Sequence, residues 1–353
     1  MLPYVVLVFA PVIPLLFVIK GQDSTARDKR AIGLFFFFYL TLLMLRDKSV
    51  GRDTSGYSFV FSTYSHISWS QLIDSTTEIA YAALNKIVLA FTDDFQWLLV
   101  ITAIIIIVPI WIVYRKEVVD ASLTISIFLI LPTFVMFFSG IRQSIAIAMG
   151  VVAYELVKRK KLFFFLLVVA IACLFHKSAF FLLFMYPVYR TKVTKKWLPP
   201  TALALIIIFI FNRQIFSFLQ ILLADMYDTS TRESNAYTML ILFVLFGVFS
   251  FIIPDEGKID EDMIGLRNLL LLAIAVQMFA PLHTLAMRFN YYYIIFIPLL
   301  IPKVIKNCST RYRQIAILSK YIMELYFIFY FWSQIALKSS LDAFPYHFFW
   351  APL

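Results

Sequence analysis

Long uninterrupted apolar runs, such as 101–113 (ITAIIIIVPIWIV) and 198–211, alternate with short polar stretches along the whole chain. A membrane-spanning helix needs about 20 mainly apolar residues, whereas the strands of a membrane barrel show alternating segments of about 10 residues. Because the runs are continuous, they predict helices. The pattern predicts an all-α polytopic integral membrane protein with about twelve transmembrane helices. The predicted spans are 2–19, 31–45, 96–114, 119–138, 142–157, 162–175, 178–189, 198–212, 237–253, 264–282, 289–302 and 314–336.

Two segments of this pattern allow more than one interpretation. The stretch 162–189 fits either a broken helix or a hairpin. The segment 78–92 is short and carries Glu78, Asn85 and Lys86. Such a segment is predicted to be an amphipathic helix that lies at the outer interface. If it crossed the membrane instead, every later loop would change sides.

The composition excludes an ordinary soluble domain. Hydrophobic residues make up 62% of the chain and charged residues 15%, whereas soluble domains have about 45–50% and about 25%. We therefore interpret 1–353 as one transmembrane domain. It has an outer loop at 46–95, which includes the interfacial helix, and a second outer loop at 213–236. No positively charged segment precedes the first apolar run, so 2–19 is interpreted as a retained helix.

The net charge of +10 has a simple explanation that requires no nucleic acid. Lys and Arg collect in the cytoplasmic loops of membrane proteins. Basic clusters such as 158–161 and 190–196 follow alternate predicted spans and place most Lys and Arg on one side. This asymmetry predicts that both termini lie on the outer side of the plasma membrane. Cys173 and Cys308 are distant in sequence and form neither a disulfide framework nor a metal motif.

Ionisable residues on the outer side stand out, because charges near membrane depth are costly and often functional. Arg52, Asp53 and Tyr57 lie in the first outer loop, and Glu78 opens the interfacial helix. The second outer loop contributes weaker candidates, most of which are expected to be solvated. They are Arg213, Gln214, Asp225, Asp228, Arg232, Glu233 and Asn235.

Two short polar interruptions of the apolar pattern are stronger candidates. Gly140 ends one predicted helix, and Arg142 and Gln143 open the next, where an anion is favoured by the helix terminus. The alternative for Arg142 is a side chain that reaches lipid phosphates. His176 and Lys177 interrupt a long apolar stretch. The pair could move a proton and hold an anion, although a single buried His is more often structural.

A third polar group follows the tenth predicted span. Arg288 is its best candidate, with Asn290 and Tyr291 beside it. The aromatic residues there fit an interfacial belt or a surface that stacks on sugar rings.

Together, these groups favour an anionic, amphiphilic substrate such as a lipid-linked phosphate, because the planar guanidinium suits phosphate oxygens. The chain has no glycine-rich nucleotide loop and no dense acidic cluster that would require a divalent metal. No cofactor is therefore expected.

Several motifs recur in the order and spacing of a known family. The chain resembles the EpsG-like branch of the Wzy-type bacterial polysaccharide polymerases, and the resemblance covers most of its length. The motifs that carry it are GRDTSGY (51–57), Glu78 and Tyr81 with Asn85, SGIRQSIAIAM (139–149), FHKSAF (175–180) and RFNYYY (288–293).

The resemblance implies a fold like that of glycosyltransferases of the C class. It implies polymerisation of O-antigen, capsule or exopolysaccharide repeat units at the outer face of the bacterial inner membrane. A growing glycan on undecaprenyl pyrophosphate would be transferred to a new lipid-linked repeat. The family also suggests a chain-length regulator as a partner, besides membrane lipid.

The implied mechanism gives roles to the candidates. Arg142, with Arg52 or Arg288, would stabilise the negative charge on the leaving pyrophosphate. Asp53, Glu78 and His176 are the candidate bases for the acceptor hydroxyl, with a slight preference for an acid of the first outer loop. The predicted substrate-binding residues are Arg52, Tyr57, Gln143, Lys177, Arg288, Asn290 and Tyr291.

Two other classes of protein remain open at this point. A lipid-linked oligosaccharide flippase would need charged residues along a path through the whole membrane, whereas the unusual charges here stay on one predicted side. A polysaccharide O-acyltransferase would need access to a cytosolic acyl donor, and the predicted inner face lacks a matching His/Arg motif.

Overall fold

The computed structural model describes residues 2–9, 24–72, 78–192, 195–223, 237–256 and 260–351. Seventeen α-helices and no β-strand are found in these parts of the chain. The protein is therefore all-α, as predicted. Its residues group into two compact units, Met1–Phe180 with Ser319–Leu353, and Phe181–Leu318.

The first unit contains nine complete helices and most of a tenth. Aromatic packing holds it together: Phe128 meets Phe36 and Tyr39 edge to face, with ring centroids 5.6 Å and 5.9 Å apart. The helices are Leu2–Phe9, Ser24–Leu45, Thr54–Tyr64, Ile79–Leu89, Phe95–Glu117, Ala121–Ile130, Pro132–Ser139, Ile141–Lys158 and Leu162–Phe175, with Arg313–Tyr330 from Ser319 onward.

The second unit is built from seven complete helices and the beginning of Arg313–Tyr330. Leu198–Ile210 buries none of its residues although it is almost entirely apolar, which is typical of a surface that faces lipid. An apolar groove of about 640 Å³ lies beside this helix, with Val244 and Ile274 in its lining. The helices are Met185–Arg190, Leu198–Ile210, Asn212–Leu223, Tyr237–Ile252, Glu261–Gln277, Thr284–Ile294 and Ile297–Lys306.

Apolar helices indicate a multi-pass membrane protein. Phe95–Glu117 and Thr310–Ala336 are each long and apolar enough to cross a bilayer. Three further pairs of helices pass the same test together but are bent by more than 40°, so the described residues hold two to five candidate spans. Most of the other predicted spans coincide with helices that do not pass this test. Whether these also cross the membrane stays a prediction.

Two of the predicted spans are broken in the structure. The span predicted at 119–138 divides into two helices that meet at 62°. Pro132 opens the second helix, and the preceding Leu131 is extended, because proline disfavours the helical conformation of the residue before it. The stretch 162–189 is a broken helix, since Leu162–Phe175 ends at an extended His176 and a 3₁₀ segment follows from Lys177 to Phe184.

Other predicted segments differ from the structure in detail. The loop predicted from residue 46 contains the helix Thr54–Tyr64, and a helix is present at Ile79–Leu89 as expected. The second predicted loop begins with the helix Asn212–Leu223. Several earlier candidates lie outside the described residues: 10–19 of the first predicted span, and Asp225, Asp228, Arg232, Glu233 and Asn235.

Candidate active site

Arg142 is held at a break between two helices of the first unit. The helix Pro132–Ser139 ends and Ile141–Lys158 begins on either side of Gly140. A methyl group at Gly140 would meet the end of the flexible Met136 side chain, which would have to move. Arg142 lies in the first turn of its helix, and its side chain is 32% exposed.

Glu78 joins Arg142 to His176. One oxygen of the carboxyl, Oε2, forms an ion pair with Arg142 Nη1. The other oxygen, Oε1, lies 3.1 Å from His176 Nδ1. Glu78 immediately precedes the helix Ile79–Leu89, and His176 follows the end of Leu162–Phe175. Three helix ends therefore bring together residues that are far apart in sequence.

The environment keeps the Glu78 carboxyl ionised. Burial by itself would raise its pKa, but the hydrogen bond with His176 and the positive charge of Arg142 outweigh this effect and lower the pKa to about 2. An ionised carboxylate only accepts hydrogen bonds. Nδ1 of His176 is therefore assigned as the donor to Glu78, and with this tautomer Nε2 is the acceptor whenever the imidazole is neutral.

His176 Nε2 is buried and has no hydrogen-bond partner among the described residues. Arg142 Nε is in the same situation. Buried polar atoms normally have a partner, so each such atom calls for an explanation. Nε2 of a neutral His176 is an acceptor, whereas Arg142 Nε–H is a donor. Both side chains contact the Glu78 carboxylate.

Tyr57 and Tyr81 form an aromatic wall at this cluster. The guanidinium of Arg142 lies 5.8 Å from the centroid of the Tyr57 ring, a distance at which a cation is attracted to the ring face. Tyr57 meets Tyr81 edge to face, with ring centroids 5.5 Å apart. The motif at 51–57 thus delivers one aromatic ring to the arginine that the motif at 139–149 supplies.

A tight turn positions the helix that carries Tyr57. Gly51 has a φ of 96°, and a side chain there would overlap the carbonyl oxygen of Phe138. The Thr54 hydroxyl lies within hydrogen-bond distance of two carbonyl oxygens, 2.9 Å from Val50 O and 3.0 Å from Phe138 O, and can donate its proton to either. The turn is therefore packed directly against the end of the helix Pro132–Ser139.

Asp53 contacts the neighbouring motif without joining the Glu78 cluster. Ser139 Oγ donates to Asp53 Oδ2 at 3.0 Å, and the Asp53 backbone N–H donates to the same Oγ at 3.2 Å. Sequence reasoning included Ser139 in a motif but gave it no role. Its hydroxyl fixes the two motifs against each other.

The comparison with protein families finds one family that covers most of the chain. The family model described as "EpsG family" matches residues 29–348. The chain belongs to the EpsG family. This family is linked to exopolysaccharide biosynthesis. No curated protein and no solved structure matches the chain.

Three remaining candidates in the first unit of this EpsG-family protein differ in exposure. Arg52 is exposed, and its Nε lies 3.1 Å from Asp342 Oδ2, a partner for which the sequence gave no signal. Lys177 is exposed, whereas Gln143 is only 3% exposed. The match to the EpsG family includes all three positions.

The last three candidates, Arg288, Asn290 and Tyr291, lie in the second unit. Asn290 is fully buried, and its Nδ2 donates to Ala273 O at 3.1 Å and to Gln277 Oε1 at 2.8 Å. These bonds fasten Thr284–Ile294 to Glu261–Gln277. Tyr291 is 7% exposed and Arg288 is exposed. For Asn290, the contacts identify a structural role within this unit.

Proposed function

We propose that this EpsG-family protein is a polymerase of undecaprenyl-pyrophosphate-linked oligosaccharide repeat units. It acts at the outer face of the bacterial inner membrane, crosses that membrane about twelve times, and has the architecture of a C-class glycosyltransferase. The observation that carries the proposal is the pairing of one carboxylate, Glu78, with both Arg142 and His176. This arrangement joins a cation for a leaving phosphate to a base for an attacking hydroxyl.

The reaction transfers the growing glycan from one lipid to another. A hydroxyl of the lipid-linked acceptor repeat attacks the anomeric carbon of the donor glycan, and a new glycosidic bond forms. The bond between that carbon and the lipid pyrophosphate breaks, and its electron pair leaves with the pyrophosphate oxygen. The proton of the hydroxyl passes to a base of the protein. The free energy comes from the lipid pyrophosphate, so no nucleotide is required.

Arg142 is the residue that would stabilise the leaving group. Its Nη1 is held by Glu78 while Nε has no partner among the described residues and one third of the side chain is exposed. A guanidinium in this state is preorganised, because the protein already fixes its plane. Fixed charges of this kind are often the largest contribution to catalysis.

His176 is the base that this geometry favours over the acids of the first outer loop. Glu78 is a weak base because its pKa is lowered to about 2, and Asp53 accepts a hydrogen bond from Ser139. His176 Nε2 is unpartnered in the described part of the chain. Glu78 then acts as the residue that orients the imidazole and balances its charge after proton transfer, as a carboxylate does for histidine in catalytic triads.

The remaining candidates are assigned to substrate contacts. Tyr57 offers a ring face beside Arg142, which suits the apolar face of a sugar. The Arg52–Asp342 ion pair is more than half exposed on both sides, and such pairs contribute only about 0–1 kcal/mol. Arg52 can therefore exchange Asp342 for a phosphate at little cost. Gln143, Lys177, Arg288 and Tyr291 remain proposed contacts, and a chain-length regulator a proposed partner.

The proposal is tested by surface glycan from a strain that lacks this gene. The strain is complemented with wild type, Arg142→Ala or Arg159→Ala, and the glycan is separated on a gel at matched expression. Arg159 is the matched control, since it ends the same helix, is 66% exposed and pairs with Glu155. We expect a ladder from wild type and Arg159→Ala, and single-repeat bands from Arg142→Ala.

Other outcomes would favour the alternative classes. If the deletion strain displays no outer glycan at all, the protein is a flippase. If it displays a full-length ladder that lacks acyl groups, the protein is an acyltransferase. A normal ladder from Arg142→Ala overturns the assignment of Arg142.

A further inference from the structure

The apolar groove of the second unit lies between three helices. Leu198–Ile210 and Tyr237–Ile252 line two of its sides, and Glu261–Gln277 contributes Leu271 and Ile274 to the third. The volume of about 640 Å³ lies within the range of about 300–1,000 Å³ that is typical of ligand pockets. The groove is therefore large enough to hold part of a ligand.

The lining of the groove is suited to hydrocarbon. Thr201 is the one polar residue among those that line it in the described part of the chain, and its hydroxyl donates to Trp197 O at 2.6 Å. A sugar, a peptide backbone or a phosphate inside the groove would lose its hydrogen bonds with water and gain none in return, which is unfavourable. An apolar chain loses no hydrogen bond there.

Small residues give the groove its depth. A methyl group at Gly247 would lie only 2.9 Å from Ile274 Cδ1, so the backbone of Tyr237–Ile252 closely approaches Glu261–Gln277 at this point. Ala202 lines the groove from the helix on the other side and is exposed. A large side chain at Ala202 would fill the space that a ligand needs.

The helix Leu198–Ile210 is apolar but uncovered. None of its residues is buried, and Leu203 and Ile206 are 58% and 54% exposed. Exposed apolar surface of this kind marks a site that another molecule covers. Together with the helix that follows it, Leu198–Ile210 is a candidate membrane span. Hydrocarbon chains of the bilayer can therefore reach the groove.

Positive charge and a tryptophan mark one end of the groove. Leu198 lines this end, and Lys196 and Trp197 directly precede it in the chain. Both side chains are exposed, Trp197 by 60%. Lysine near a membrane attracts anionic headgroups, and tryptophan is enriched where the membrane meets water. An apolar groove with a cationic end is complementary to a lipid with an anionic headgroup.

We propose that the groove binds one acyl chain of an anionic phospholipid, whose headgroup phosphate lies beside Lys196. The basic cluster at 190–196 is predicted on the cytoplasmic side, whereas the proposed polymerisation takes place at the outer face. A phospholipid of the inner leaflet therefore fits this site better than the lipid-linked glycan does. The bound chain covers Leu198–Ile210 and stabilises the second unit. This binding does not depend on the polymerase activity.

The test is native mass spectrometry of the purified full-length protein in a mild detergent. The protein is incubated with phosphatidylglycerol or phosphatidylcholine that carry the same acyl chains, so that only the headgroup charge differs. Ala202→Trp fills the groove, and Lys196→Gln removes the charge at its end. Leu203→Trp is the matched control for the first variant, because Leu203 is exposed on the same helix but does not line the groove. Lys306→Gln is the control for the second, because Lys306 is exposed in the same unit.

We expect wild type and both controls to retain one phosphatidylglycerol and to bind it about fivefold more tightly than phosphatidylcholine, the effect of one lysine near an anionic lipid. Lys196→Gln should bind the two lipids alike. Ala202→Trp should bind neither, and phosphatidylglycerol should raise the unfolding midpoint of wild type but not of this variant. If Ala202→Trp does not fold, Val244→Trp fills the groove from the opposite helix.

Three results would overturn the inference. Equal retention of phosphatidylglycerol by Ala202→Trp and Leu203→Trp would exclude the groove as the site. Retention of undecaprenyl phosphate in place of phosphatidylglycerol would assign the groove to an isoprenoid chain. A dimer that Ala202→Trp disrupts would assign it to a second copy of the protein. None of these measurements requires turnover, so they separate this inference from the polymerase proposal, which is tested through Arg142.

Discussion

His176 Nδ1 lies 3.1 Å from Glu78 Oε1, while the second oxygen of the same carboxylate pairs with Arg142. One carboxylate thus contacts an imidazole and a guanidinium at the same time. The arrangement turns three candidates from separate motifs into a single cluster. It also makes their roles distinguishable, because each substitution removes a different part of the proposed chemistry.

Replacement of the proposed base should stop turnover without unfolding the protein. His176→Gln keeps a polar side chain of similar length but removes the Nε2 lone pair, and loss of a general base costs roughly 10²–10⁴-fold in rate. The measurement is glycan transfer by membranes supplied with lipid-linked repeats. His66→Gln is the control, since His66 is exposed and lies in the same unit. Transfer by His176→Gln within a few-fold of wild type would contradict this role.

The Glu78 carboxylate should stabilise the fold above a defined pH. Its pKa in the folded protein is about 2, against an ordinary value of 4.5. A group whose folded pKa is lowered contributes stability above its unfolded pKa, and that contribution disappears as the pH falls through the folded pKa. The advantage of wild type over Glu78→Gln should therefore shrink between pH 4.5 and about 2.

The measurement is the thermal midpoint of wild type and Glu78→Gln from pH 7 to pH 2. Other acids titrate in the same range, so only the difference between the two proteins is informative. A difference that stays constant over the whole range would mean that Glu78 does not carry the expected linkage.

The turn at Gly51 should tolerate no side chain. Gly51→Ala places a methyl group at a φ of 96° and against the carbonyl of Phe138. The backbone strain alone should lower the free energy of unfolding by about 1–3 kcal/mol. The midpoint of unfolding should fall, and polymer should shorten because the helix with Tyr57 shifts. Gly56→Ala is the matched control: nothing lies within 4 Å of its new methyl group, and alanine favours a helix interior. Equal effects of the two substitutions would contradict the packing described for the turn.

The helices were largely predictable from the sequence because their apolar runs are continuous. The prediction of 96–114 corresponds to Phe95–Glu117, and that of 162–175 to Leu162–Phe175. Thr54–Tyr64 was not predicted, since its sequence mixes small polar and aromatic residues without a long apolar run. The bend at Pro132 was missed as well, although the proline marks it, whereas a break within 162–189 was one of the two alternatives predicted.

The residues of the candidate site could be singled out from the sequence, but their pairing could not. Arg142, Glu78 and His176 were singled out because charged residues beside apolar helices are costly. Their pairing depends on the packing of three helix ends that are distant in the chain, and no local pattern encodes it. Asp342 gave no signal for the same reason.

Asn290 provides a test of structural against substrate-binding roles. Asn290→Ala removes two hydrogen bonds and leaves Gln277 buried without its partner, which should destabilise the protein by about 1–3 kcal/mol. Replacing both residues with leucine should cost less than the sum of the single changes, since two apolar groups leave no unsatisfied polar atom in the pair. Unfolding midpoints of the singles and the double variant measure this coupling. If Asn290→Ala instead keeps the midpoint of wild type and loses glycan transfer, Asn290 contacts substrate and its role in packing is secondary.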